Sequence, residues 1–139
     1  MIILDTNVLS EILRPAPEPH VLDWLAARDG TTIWLTAITE AELRHGVAIL
    51  PEGKRREGLA AMIDQIIRED FAGRILPFDS PAAEAFAAIA AARRAMGRPI
   101  LHADCQIAAI ARAHGAIVAT RNTADFADCG IDLINPWNA

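Results

Sequence analysis

The feature that most constrains this chain is its opening, Met1-Ile2-Ile3-Leu4-Asp5-Thr6-Asn7. Ile2 to Leu4 form an unbroken apolar run, the pattern of a strand covered on both faces in a parallel sheet. The run ends on a carboxylate followed by two short polar residues. Thr6 and Asn7 are good helix N-caps, and Leu9, Ile12 and Leu13 follow at helical spacing. Asp5 is therefore expected at the carboxyl end of a buried strand, where the chain turns into a helix. Open α/β sheets bind their ligands at that end of their strands. The remaining question is which other groups are brought to Asp5.

The same alternation continues along the chain. Pro15, Pro17 and Pro19 cannot sit inside a helix, so they make a stiff connector, with Pro19 suited to open a helix over about 19–29. Ile33-Trp34-Leu35 reads as a second buried strand. Thr39-Glu40-Ala41-Glu42 matches a capping box and predicts a helix start at Thr39; Pro51 and Gly53 end that helix, and another follows over roughly 55–70. Residues 74–78 form a third strand, expected at the periphery because it contains Pro77. Asp79-Ser80-Pro81 starts a helix reaching about Met96, and a further helix covers about 102–114. Residues 116–119 give a fourth strand and 131–134 a short fifth. The class is α/β with a mainly parallel sheet. No linker, repeat or low-complexity stretch interrupts it, so residues 1–139 are expected to form one domain.

Composition removes several functional classes. No apolar run approaches the ~18 residues that span a bilayer, and an acid at position 5 with no basic residue before it does not suit a signal peptide. A cytoplasmic protein without membrane association is expected. Cys105 and Cys129 lack metal or redox spacing and read as buried, inert thiols. The net charge of −5 argues at first against a nucleic-acid partner, but four acids gathered in one pocket would leave a nearly neutral exterior. Basic residues cluster at Arg44-His45, at Lys54-Arg55-Arg56, and at Arg93-Arg94 with Arg98. Each is either a solvated helix face or a contact for phosphates or an acidic partner.

Three acids can join Asp5. Asp104 lies in the first turn of its helix, in register with Ile107, Ala108 and Ala111, so it is aimed at the core. It complements the helix dipole there, or it serves a buried site. Glu42 either closes the capping box with Thr39 or reaches the sheet edge that Asp5 occupies. Asp125, in the loop after the fourth strand, either caps a turn or joins the others. If all four converge, their charges need a cation among them. Hard oxygen donors select Mg²⁺ or Mn²⁺, and such a site suits hydrolysis of a phosphodiester. No P-loop, G-x-G-x-x-G or H-E-x-x-H supports a nucleotide or zinc enzyme. Aspartyl phosphoryl transfer would want an acid where Asn7 stands, and a lysine downstream, whereas Lys54 is the sole lysine.

These pieces resemble a known family. Ile3-Leu4-Asp5-Thr6-Asn7-Val8, Thr39 to Gly46 (TEAELRHG), His102-Ala103-Asp104 with Ile107-Ala108-Ala109, Ala119 to Asn122 through Asp125-Phe126, and Ile134-Asn135-Pro136-Trp137 are similar to motifs of the PIN-domain ribonucleases. Within these the chain resembles in particular the VapC toxins and their FitB-like branch. The resemblance covers essentially the whole length. It implies a three-layer α/β/α domain with a central, mainly parallel sheet of four to five strands and an acidic Mg²⁺ pocket. It also implies a homodimer that cleaves RNA, often tRNA or ribosomal RNA, and is silenced by a cognate antitoxin, which carries the operator-DNA contacts.

On this pattern Asp5, Glu42 and Asp104 are the core acids, with Asp5 and Asp104 as principal metal ligands. Many members have an acid where this chain has Asn122. The fourth contact therefore falls to Asp125, or to water held by Asn122 and Thr120. Asn7, Thr120, Arg121 and Asn122 are the expected positioning residues for substrate or water, and Arg44-His45 a further candidate phosphate contact. The alternative is a non-catalytic module serving assembly with antitoxin and operator DNA.

Overall fold

The computed structural model describes residues 1–139. Strands β1 (Ile2–Leu4), β2 (Ile33–Thr36), β3 (Ile75–Leu76), β4 (Ile117–Ala119) and β5 (Asp132–Ile134) form one five-stranded parallel sheet in the order β3-β2-β1-β4-β5. Six helices cover it: α1 (Thr6–Ile12), α2 (Pro19–Ala26), α3 (Ala37–Ala48), α4 (Lys54–Gln65), α5 (Ser80–Ala95) and α6 (His102–His114). None is long and apolar enough to cross a membrane.

The period of two along the strands divides the core into two layers. Ile3 and Val118 face a cluster built on α5 and α6, with Ala82, Ile89, Ile107 and Ile110. Leu4, Ile33, Leu35 and Ala119 face the opposite cluster, with Val8, Val21, Leu43 and Ile63 from α1 to α4. Ile3, Leu4, Leu35 and Val118 are fully buried, each contributing roughly 1.5–3 kcal/mol of hydrophobic stabilisation. This is the α/β/α arrangement that the resemblance implies, around the parallel sheet expected from the apolar strands.

The sheet grows outward in two directions from β1: β2 and β3 lie on one side, β4 and β5 on the other. The crevice at such a reversal opens at the carboxyl ends of the two central strands. Leu4 pairs with Ala119, the Asp5 amide donates to the Ala119 carbonyl (2.9 Å), and the next residue on each strand is Asp5 or Thr120. Those two side chains therefore flank the crevice.

Several local expectations are corrected. Asp5, not Thr6 or Asn7, is the N-cap of α1, because its own carboxylate accepts the Thr6 amide. The third helix starts three residues earlier than the capping-box pattern predicts: Thr36 is the cap, and its hydroxyl accepts the Thr39 amide (3.2 Å). The second helix stops at Ala26, with Gly30–Thr32 in a separate 3₁₀ turn. The 55–70 segment holds as α4, followed by a π-helical turn over Ile66–Asp70. β3 keeps only Ile75–Leu76 and lies at the sheet edge.

Candidate functional site

A cavity of about 480 Å³ opens at the crevice, walled by Asp5, Thr6, Asn7, Ser10, Glu11, Arg14, Glu42, Asp104, Arg121, Asn122 and Trp137. Asp5, Glu42 and Asp104, from β1, α3 and α6, share this wall. Their positions follow from the fold: Asp5 ends the central strand, Glu42 lies in the second turn of the helix after β2, and Asp104 in the first turn of α6.

Asp5 is 5 % exposed, and both of its oxygens are engaged. Oδ1 accepts the Thr6 amide and Oδ2 accepts the Thr120 hydroxyl, both at 2.8 Å. Thr120, fully buried behind the wall, is a junction: its oxygen also accepts Asn7 Nδ2 (3.3 Å) and the Asn122 amide (3.0 Å). Glu42 Oε1 accepts the Thr6 hydroxyl at 2.7 Å, and the Thr6 and Thr39 hydroxyls are 3.1 Å apart. The capping box would have turned Glu42 back onto Thr39; with the cap at Thr36 its carboxylate is free to face Thr6.

The electrostatics of the three acids are dominated by burial and mutual repulsion. Burial raises the Asp5 pKa, Thr120 and the Thr6 amide pull it back, and the charges of Glu42 and Asp125 raise it again, leaving it above the ordinary carboxylate value. Asp104 is pushed up to about 6, first by burial and then by Asp5, Asp125 and Glu42, against a smaller opposing effect of Arg93. None of Asp5, Glu42 and Asp104 forms an ion pair; the basic partners nearby go elsewhere. As the side chains stand, no three His, Cys, Asp or Glu residues are drawn tightly enough to grip an ion. The donor set nevertheless fits one: hard carboxylate oxygens that repel one another, two of them withdrawn from water and none of them ion-paired, suit a hard divalent cation.

The other expected residues divide. Asn7, Arg121 and Asn122 line the cavity. Asp125 is exposed in a 3₁₀ turn over Thr123–Phe126 and is not part of the wall, although its charge is felt by both Asp5 and Asp104. Arg44 and His45 are not in the wall either, and Arg44 is committed to Glu40 and Asp64 at 2.8 Å each, so it is not a free phosphate contact. Arg93 is no solvated face: it is buried and donates to the carbonyls of Arg98, Asp125 and Ala127 at 2.8–2.9 Å, holding the loop behind Asp104. Cys105 and Cys129 are buried and free, and burial pushes the Cys105 thiol up to about 11, which keeps it unreactive.

Five wall residues escape the sequence reading: Thr6, which it takes only as a helix cap, and Ser10, Glu11, Arg14 and Trp137. Asn7, Ser10, Glu11 and Arg14 recur at i, i+3, i+4 and i+7, a polar stripe that a helical plot of the first helix could have revealed. Glu11 is 6 % exposed. Burial favours its neutral form, but the Glu18 amide and Arg14, with a contribution from Arg121, outweigh this and hold its pKa below the ordinary value.

Comparison with known proteins agrees with this architecture. The PIN domain family model matches residues 2–130. The chain is 46% identical over 137 residues to the VapC ribonuclease Y4jK of Sinorhizobium fredii, covering 99% of this chain and 98% of that protein. It is 46% identical over 138 residues to Toxin FitB of Neisseria gonorrhoeae, covering 99% of each. The structure of FitAB bound to the IR36 DNA fragment contains a chain that superposes with a TM-score of 0.93 at 46% identity, covering 99% of this chain and 96% of that one.

Proposed function

The chain belongs to the PIN-domain family, and from that premise we propose that it is a Mg²⁺-dependent endoribonuclease, the toxin of a toxin–antitoxin pair. The observation that carries the reading is the shared cavity of Asp5, Glu42 and Asp104, two of them with raised pKa and none with a basic partner. Asp5 and Asp104 hold the cation, with Glu42 completing the set. Mg²⁺, or Mn²⁺ in its stead, supplies there the positive charge that activates a water and neutralises a phosphodiester oxygen.

The chain's own groups do the rest. Thr120 and the Thr6 amide fix the Asp5 carboxylate, and the Thr6 hydroxyl fixes Glu42. Glu42, the most open of the three acids, orients the attacking water and accepts its proton. Arg121, Asn122 and Asn7 line the same wall and hold phosphate oxygens or water, while Asp125 adds negative charge from behind. Water attacks phosphorus, the P–O bond to the neighbouring ribose breaks, and the proton lost by water is returned to the leaving oxygen. A tRNA or ribosomal RNA is the proposed target.

A second groove, of about 680 Å³, shares Thr6, Ser10, Arg14 and Glu42 with the cavity and continues over Leu13, Leu43, Val47, Leu59 and Met62. A cognate antitoxin lying in this apolar groove would cover the carboxylates, and operator DNA would be contacted through that antitoxin. The likeness to the FitAB structure supports such a partner. We take residues 1–139 as one cytoplasmic domain that pairs with a second copy. Exposed Leu101 (73 %) beside the Phe78–Phe86–His102 aromatic group supports a partnered face.

The test is expression with and without the adjacent reading frame, followed by assay of the purified chain on total RNA with Mg²⁺. Growth arrest relieved by the neighbour, and Mg²⁺-dependent cuts abolished in Asp5→Ala and Asp104→Ala, are expected. Undiminished cleavage by either variant rejects the assignment. Absence of carboxylate-dependent Mg²⁺ binding by calorimetry would instead favour the non-catalytic assembly module.

A further inference from the structure

The acidic cavity has an unexplained wall. Trp137 is its single hydrophobic lining residue among eleven. The indole is half-buried, packed on the α1–α4 side of the core yet open to the cavity. Across it lies Arg121, with the guanidinium carbon 5.1 Å from the ring centroid. Arg121 is exposed and has no carboxylate partner, whereas Arg14, the other cation in the wall, is held by both oxygens of Glu11 at 2.9–3.0 Å.

The pair is held in place rather than left on a loose tail. The Asn135 side chain accepts the Trp137 amide at 2.9 Å, and the Asn135 carbonyl accepts the amides of Asn138 and Ala139, each at 3.0 Å. The Ile134 carbonyl accepts the Thr120 amide at 2.9 Å, tying this turn to the residue before Arg121, just past the end of β4. The Arg121 amide in turn faces Asn7 Oδ1 at 3.4 Å. A cation and an aromatic ring thus lie together in the same lining as the acids, in a cavity that otherwise offers only polar groups.

A half-open indole fixed in a polar cavity presents apolar surface to water unless something flat covers it. Unpaired bases stack on aromatic rings and on guanidinium planes, and arginine meets phosphate at the same time. We propose that Trp137, with Arg121 laid over it, is the nucleobase platform beside the reacting phosphodiester. The platform takes an unpaired base flanking the cut, while Arg121 holds the adjoining phosphate. This rests on the nuclease reading above and adds to it a residue that selects for an unpaired neighbour.

The experiment uses a short unstructured oligoribonucleotide and copies of it carrying a single abasic ribose at successive positions. Relative to the native chain, Trp137→Leu keeps bulk but removes the aromatic face; it should raise KM roughly tenfold with little change in kcat. In the native chain one abasic position should depress cleavage, and Trp137→Leu should be indifferent to it. Trp137→Phe should recover most of the loss, which a purely structural role in packing the turn would not produce. Arg121→Lys, keeping charge without the flat plate, should also lose the abasic effect.

A native KM and an unchanged abasic profile in Trp137→Leu would overturn the platform while leaving the nuclease reading intact. A second measurement covers a chain that cuts no RNA. With Trp24 and Trp34 replaced by Phe, Trp137 is the sole indole, and the oligoribonucleotide should quench its fluorescence in the presence of Mg²⁺. Absence of quenching overturns the platform; quenching without cleavage upholds it and fails the nuclease reading instead.

Discussion

The two walls of the cavity treat their carboxylates in opposite ways. Glu11 is buried yet lowered in pKa, because Arg14 and the Glu18 amide meet its oxygens. Asp5 and Asp104 are also withdrawn from water, yet raised, because only hydroxyl and amide donors or other acids stand near them. Burial is common to both walls, so burial does not separate them; the presence of a cation does. Arg93, whose charge reaches Asp104, spends its donors on backbone carbonyls and forms no ion pair with the acids. One wall is electrostatically compensated, and the other carries negative charge with no ion-pair partner.

The comparison breaks most visibly through the acids themselves. Asp104→Asn and Asp5→Asn should each lower Mg²⁺-dependent RNA cleavage by more than about 100-fold, beyond what loss of a supporting partner costs. The metal-free Asp104→Asn chain should melt higher than the native one near pH 7, because the buried charge, and with it the repulsion from the other acids, is gone. Glu11→Gln should do the reverse, lowering the melting temperature while retaining most of the metal response. An Asp104→Asn chain that melts lower would mean that the acid wall is not held against repulsion.

The next largest effect concerns Arg93. Arg93→Met keeps the apolar stem but leaves three carbonyls without their donor, and should cost about 3 kcal/mol of stability in urea unfolding. If Arg93 were instead a phosphate contact, the variant would lose RNA affinity at unchanged stability.

A smaller effect is expected from pH. Asp104 moves from an ordinary 3.8 to about 6 on folding, so between those values the folded chain binds more protons than the unfolded one. Its contribution favours folding most below pH 4 and is lost as the pH rises through 6. Without metal, native stability should therefore fall across that window, and Asp104→Asn should flatten the slope. Added Mg²⁺ should raise the melting temperature more at pH 7.5 than at pH 5. Equal gains at both would indicate that the cation binds elsewhere.

How far this site was legible from residues alone follows the same division. The acid wall was readable because it sits at strand ends and helix starts, and apolar runs such as Ile2–Leu4 mark those in sequence. Even so the pattern puts the cap of the third helix three residues late, since Thr36 and Thr39 are both good caps and only the backbone decides between them. The compensated wall was not read. Glu11 and Arg14 lie among residues that pass as an ordinary polar helix face, and Trp137 meets them only through tertiary packing. Arg93 reads as part of a solvated or phosphate-contacting cluster because it adjoins Arg94. Its register with Ala82, Phe86 and Ile89 places it on the buried stripe.

The finest probe of the contrast is Thr120, whose hydroxyl hydrogen can go to only one acceptor. With Asn7 Nδ2 and the Asn122 amide both donating to its oxygen, that hydrogen is directed at Asp5. Thr120→Val keeps the shape of a fully buried side chain and removes the one side-chain donor that Asp5 has. The Asp5 carboxyl should then rise further in pKa and lose its fixed orientation. Mg²⁺-dependent cleavage should drop on the order of tenfold, the usual cost of losing a partner that orients a metal ligand. Because the defect lies in the ionised fraction of Asp5 as well as its orientation, it should shrink as the pH is raised. A defect of constant size across pH would mean that Thr120 acts on the Asn7–Asn122 side of the wall and not through the acid.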